Sequence, residues 1–148
     1  MWGTEVNQAH KLAGKRRVLI VDDEPAICDS LQRVLELEGF SVESVFNAAT
    51  ALARLQEGKT DLLLLDINLA GENGWDVCRQ ARADKPSLRV IIMTARPGQG
   101  TLALANGVDE LMEKPLDLPV LVDTMRKLLP GRVRRRSSGA DVATRCGS

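Results

Sequence analysis

VLIVDDEP, residues 18 to 25, sets four aliphatic side chains directly against three acids. An apolar run without polar alternation reads as a strand buried on both faces, the pattern of a parallel sheet. The strand ends by delivering Asp22, Asp23 and Glu24 to one edge. Pro25 suits the first turn of a helix, where its missing N–H costs nothing. Like charges side by side at that edge need a compensating partner.

Working outward, two more runs have the same character. LLLL (62 to 65) is followed by Asp66, and VIIM (90 to 93) by Thr94. SVESV (41 to 45) and DELME (109 to 113) are weaker strand candidates, the latter followed by Lys114 and Pro115. Between these runs the apolar period becomes helical. Ile27, Leu31, Val34 and Leu35 line a helix from Pro25 that ends before Gly39, and Ala48, Leu52 and Leu55 line one closed by Gly58. A third runs from about Gly74 through Val77 and Ala81; a last one carries Leu118, Leu121, Val122, Met125 and Leu129 and stops at Pro130 and Gly131. GQGTLALANG (98 to 107) has poor helix propensity, and its position in the order makes it a helix. Five strands alternating with five helices define an α/β, doubly wound parallel sheet with right-handed crossovers and both faces covered. Ligands of such sheets bind beyond the carboxyl ends of the strands, where the strand order reverses.

Composition supports one domain. The chain has 148 residues, 44% of them hydrophobic, and a formal net charge of zero. That zero is uneven: three cations against one acid make residues 1 to 16 net +2, five arginines against Asp141 make residues 130 to 148 net +4, and the remainder carries −6. We expect a flexible leader (1–16), an acidic compact domain (17–130) and a basic disordered tail or linker remnant (131–148). The tail arginines have no accompanying reading motif, so direct DNA binding is not expected. Cys28, Cys78 and Cys146 have no metal-ligand spacing and are odd in number, which argues against a zinc site or a disulfide framework. Neither a signal-peptide core nor a membrane-length apolar run is present, so the expected location is cytoplasmic.

The polar residues at the strand ends, Asp22, Asp23, Asp66, Thr94 and Lys114, converge on one crevice if the sheet is parallel. Two carboxylates about 4 Å apart repel by roughly 4 kcal/mol at an effective dielectric of 20. Proton sharing or a cation must offset this. Oxygen ligands without His or Cys favour a hard ion, and Mg²⁺ fits because it accepts one or two carboxylates while leaving positions for water and phosphate oxygens. Lys114 supplies a second positive charge and Thr94 a hydroxyl donor. The chemistry suited to the set is attack of a carboxylate on phosphorus.

VLIVDDEP, LLLLDINLAGENG, VIIMTA and MEKP, in this order and spacing, resemble the receiver domain of two-component response regulators from about Arg17 to Leu129. The resemblance implies a flavodoxin-like fold of strand order 2-1-3-4-5. It further implies that Asp66 accepts a phosphoryl group from a histidine of a sensor histidine kinase or histidine phosphotransfer protein. By the same resemblance Asp23 is a direct Mg²⁺ ligand, Asp22 acts mainly through water, and the Asn68 carbonyl is the third protein ligand. Thr94 is similar to the switch hydroxyl, Lys114 to the lysine that pairs with the phosphoryl group, and the Lys114–Pro115 bond would be cis. Small Ala95 would leave that group open to water or a phosphatase.

Two positions depart from the family. Leu111 stands where Tyr or Phe is usual, and Ala70 where Pro is common. The implied function is a switch that catalyses only its own phosphorylation and dephosphorylation. It would change affinity for an output partner, with weak homodimerisation through the fourth helix, fifth strand and fifth helix. An interaction module that signals without phosphorylation is the alternative. A haloacid-type phosphatase would want Asp at Asn68, and a flavodoxin a Ser/Thr-rich loop in place of DDEP.

Overall fold

The structure, a computed structural model, describes residues 14–130. Its central strand β3 (Leu62–Asp66) is buried at all five positions. Leu63 and Leu65 point into one apolar cluster and Leu62 and Leu64 into another, the period-two alternation of a strand covered on both sides. Around it the sheet runs β2-β1-β3-β4-β5, all parallel, with β1 at Arg17–Val21, β2 at Ser41–Val45, β4 at Arg89–Thr94 and β5 at Glu110–Glu113. This is the expected order. Val21 lies beside both Val45 and Leu65, Asp66 beside Met93, and Thr94 beside Glu113. The register brings the polar residues at the strand ends to one edge.

Helices α1 (Pro25–Leu37) and α5 (Leu118–Leu128) cover one face through Cys28, Leu31, Leu35, Leu121 and Met125. On the other face α2 (Ala48–Gln56), α3 (Gly74–Asp84) and α4 (Gly100–Ala105) bury Ala51, Leu55, Trp75, Val77, Cys78, Ala81 and Ala103. Three starts are capped by side chains: Asn47 accepts from Thr50 N, Asn73 from Trp75 N and Asp117 from Val120 N. Pro25 opens α1 without a side-chain cap.

Helix α4 is shorter than the span expected from 98 to 107. Gly98 adopts φ 79°, a left-handed conformation that keeps the turn before it out of the helix, and Gln99 makes no side-chain cap. At the opposite edge of the sheet, Asp109 accepts from Val90 N (2.8 Å) and pairs with Arg82 and Arg89 (3.3 and 3.2 Å). Those bonds tie α3, β4 and the start of β5 together.

Arg16 donates to the Pro130 carbonyl (2.7 Å), joining the two ends of the described region. His10, Cys146 and the arginines at 132, 134, 135 and 136 lie outside the described residues, as do residues 1–13 of the leader and the whole segment 131–148. Among the described residues no helix is long and apolar enough to cross a membrane.

Candidate functional site

Asp22 leaves the end of β1 into full burial, with none of its surface exposed. Its Oδ1 accepts from the Glu24 N–H (2.9 Å) and its Oδ2 from Lys114 Nζ (2.8 Å). Asp66, 4% exposed at the end of β3, accepts from the Asn68 N–H at Oδ1 (2.8 Å) and from the same ammonium at Oδ2 (3.0 Å). Lys114 thus spans two carboxylates from strands that are neighbours in the sheet. It is held there from behind: its N–H donates to the Thr94 carbonyl (2.8 Å), and the bond to Pro115 is cis, as expected. Glu24 Oε1 lies 3.7 Å from the same ammonium.

Asp23 points elsewhere in the crevice. It is half-buried, and its Oδ2 accepts from the Ala70 N–H at 2.8 Å across the turn after β3. One oxygen each from Asp22, Asp23 and Asp66 can be chosen so that all lie within 4.8 Å of one another. Thr94 is fully buried at the same edge, with its hydroxyl committed to the next turn: Oγ1 accepts from the Arg96 N–H (2.9 Å) and donates to the Arg96 carbonyl (3.3 Å). Asn68 joins the site through its N–H, and among the described residues its buried Oδ1 has no donor.

Coulomb's law orders these effects. At an effective dielectric of 20 each of the two ammonium–carboxylate contacts is worth about 5 to 6 kcal/mol of attraction, against at least about 3.5 kcal/mol of repulsion between carboxylate oxygens that lie within 4.8 Å of one another. Lys114 therefore holds Asp22 and Asp66 together. Burial pushes the Asp22 carboxyl above its usual range, and the bonds from Lys114 and Glu24 N only partly oppose it. For Lys114, burial alone would lower the ammonium; hydrogen bonds and attraction from Asp22 and Asp66 outweigh it, and the net direction is up. One ammonium serves Asp22, Asp66 and Glu24, and Asp23 adds a further acid beside them. The crevice stays negative. All-oxygen donors with this charge deficit fit a hard divalent cation such as Mg²⁺.

All six residues expected from sequence lie at this edge. The pairing of Lys114 with both Asp22 and Asp66, the engagement of Thr94 with Arg96, and the Ala70 N–H were not foreseen. Nor was Gly74, where a Cβ would stand 2.5 Å from the Ile67 backbone, so that α3 begins hard against the turn carrying Asn68 and Ala70. A glycine opening a helix was the only signal available.

Fold and crevice together define a flavodoxin-like sheet with an acidic site at its switch edge. Residues 18–126 match the response regulator receiver domain family, and the chain belongs to that family. It is 35% identical over 129 residues to response regulator MprA of Mycobacterium tuberculosis, covering 86% of this chain and 54% of that protein. It is 37% identical over 117 residues to the DNA-binding response regulator MtrA of Mycolicibacterium smegmatis, covering 78% and 51%. The chain therefore spans about half the length of these curated relatives. Among solved structures, a CheY-like receiver domain protein from Methanospirillum hungatei superposes with TM-score 0.76 at 29% identity, covering 82% of this chain and 98% of that one. TrrA from Thermotoga maritima, solved in complex with Mg²⁺-BeF, gives 0.71 at 31%, covering 76% and 98%.

Proposed function

We propose that the chain is a phosphorylation switch in two-component signalling. Asp66 receives a phosphoryl group from a phosphohistidine of a sensor histidine kinase or histidine phosphotransfer protein, and the change alters affinity for a partner. The observation that carries this reading is the Lys114 ammonium held between Asp22 and Asp66, within hydrogen-bond distance of the proposed nucleophile. A carboxylate oxygen of Asp66 forms the new bond to phosphorus while the phosphorus–nitrogen bond breaks. The imidazole leaves with that electron pair, and an acyl phosphate remains.

Asn68 N–H steadies the Asp66 carboxylate for attack. Lys114, already donating to Asp66, is positioned to transfer that bond to a phosphoryl oxygen. Asp22, Asp23, Asp66 and the Asn68 carbonyl would hold Mg²⁺, which when bound neutralises charge on the transferring group. For its hydroxyl to reach that group, Thr94 must release Arg96, which couples the site to the turn before α4. Beyond that turn, Leu102 and Leu104 on α4 are exposed and Leu111 is half-buried against the core. The surface of α4, β5 and α5 is the proposed output face, for a protein partner or weak self-association. The proposed setting is cytoplasmic.

Incubation with Mg²⁺ and acetyl phosphate followed by intact mass tests the core of the reading. Wild type should gain one phosphoryl group and Asp66→Asn none. Equal gain by Asp66→Asn refutes the assignment, and no gain by wild type leaves the phosphorylation-independent module as the better account.

A further inference from the structure

The turn after β3 is fastened from three sides. Asn68 N–H donates to Asp66, Ala70 N–H to Asp23, and the Glu72 carboxylate accepts from Ala48 N at the start of α2 (3.0 Å). The middle fastening needs a backbone N–H at position 70, which alanine supplies and proline would lack. We propose that the Ala70 amide is a positioning group for metal binding: it clasps Asp23 and pre-assembles the cation site before the ion arrives. The inference rests on the proposed Mg²⁺ site and adds a backbone group to the side chains and carbonyl already assigned to it.

Asp23 is the half-buried acid of the three, while Asp22 and Asp66 are buried and fixed by Lys114. It is the carboxylate with most freedom to lose. With Oδ2 held by Ala70, its rotamer is set in advance, and lone pairs remain for an ion. The same bond draws Asp23 toward the turn that carries the Asn68 carbonyl. Ordering is thus done on folding, and groups that orient a ligand in this way typically change metal affinity 10- to 100-fold when removed. An exposed backbone donor, one bond long, belongs at the low end of that range.

The test is a Mg²⁺ titration of the full chain followed by amide NMR, for wild type, Ala70→Pro and Ala70→Ser. Proline removes the N–H; serine keeps it at an exposed position. We expect Ala70→Pro to bind Mg²⁺ about tenfold more weakly, Ala70→Ser to stay within about twofold of wild type, and the wild-type Ala70 amide to exchange slowly without metal. Equal affinity of Ala70→Pro and wild type overturns the clasp while leaving the metal site standing. Equal weakening in both variants overturns it as well, since the cause would then be the shape of the turn. Should Ala70→Pro lose the native spectrum, exchange of the wild-type Ala70 amide at the rate of an unbonded amide overturns the clasp by itself. Failure of wild type to show Mg²⁺-dependent shifts near Asp22, Asp23 and Asp66 refutes the metal reading on which the clasp depends.

Discussion

Replacing Lys114 by Met keeps a long apolar stem and removes the ammonium. Two carboxylates, Asp22 at 0% and Asp66 at 4% exposure, would then confront each other without the cation that sits 2.8 and 3.0 Å from them. Breaking a buried pair by removing one partner costs about 3–5 kcal/mol. A second bound comes from proton uptake. At pH 7, protonating a carboxylate of ordinary pKa near 3.9 costs about 4 kcal/mol, so the penalty cannot greatly exceed that. Asp22, already pushed up by burial, is the group to take the proton.

The expected loss for Lys114→Met is therefore about 2–4 kcal/mol at pH 7 in EDTA. Its sign with pH is determined. Without the ammonium, the folded-state carboxyl lies further above its unfolded value, so the penalty is full above the folded value and fades as pH falls toward the unfolded one. By pH 5 the same bound gives about 1.5 kcal/mol. Urea unfolding of wild type and variant at both pH values measures this, with a change in midpoint at constant slope reporting stability. A variant as stable as wild type at pH 7 in EDTA would refute the claim that the ammonium holds the two carboxylates together. So would a penalty that grows toward pH 5.

Three further outcomes are expected. Gly74→Ala places a Cβ 2.5 Å from the Ile67 Cα, so it should cost about 1–3 kcal/mol in urea unfolding and slow phosphoryl uptake by shifting the turn after Asp66. Removing the α2 cap by Asn47→Ala should cost about 1 kcal/mol and leave phosphoryl uptake unchanged, because among the described residues the Asn47 side chain bonds its own helix start at Thr50 N and nothing in the crevice. In a Cys146→Ser background, Cys28 and Cys78 should resist alkylation at pH 8 until urea is added. Both are buried, and burial pushes the Cys28 thiol up to about 11 and the Cys78 thiol in the same direction.

The sheet, and five of the side chains at its acidic edge, were legible in the apolar runs alone. VLIV, LLLL and VIIM announce buried parallel strands because burial on both faces leaves no polar alternation, and the polar residue closing each run must fall at the carboxyl edge. That logic placed Asp22, Asp23, Asp66, Thr94 and Lys114 together from local pattern. Who bonds to whom was decided only in the folded chain. Lys114 lies 92 residues from Asp22 and 48 from Asp66, and no local signal states that one ammonium will serve both. The engagement of Thr94 with Arg96 depends on how the turn before α4 closes. The length of α4 depends on the backbone that Gly98 adopts. The Ala70 clasp is the clearest case: every non-proline residue carries a backbone N–H, so sequence marks only where one is lost, and tertiary structure alone brings this donor within 2.8 Å of Asp23.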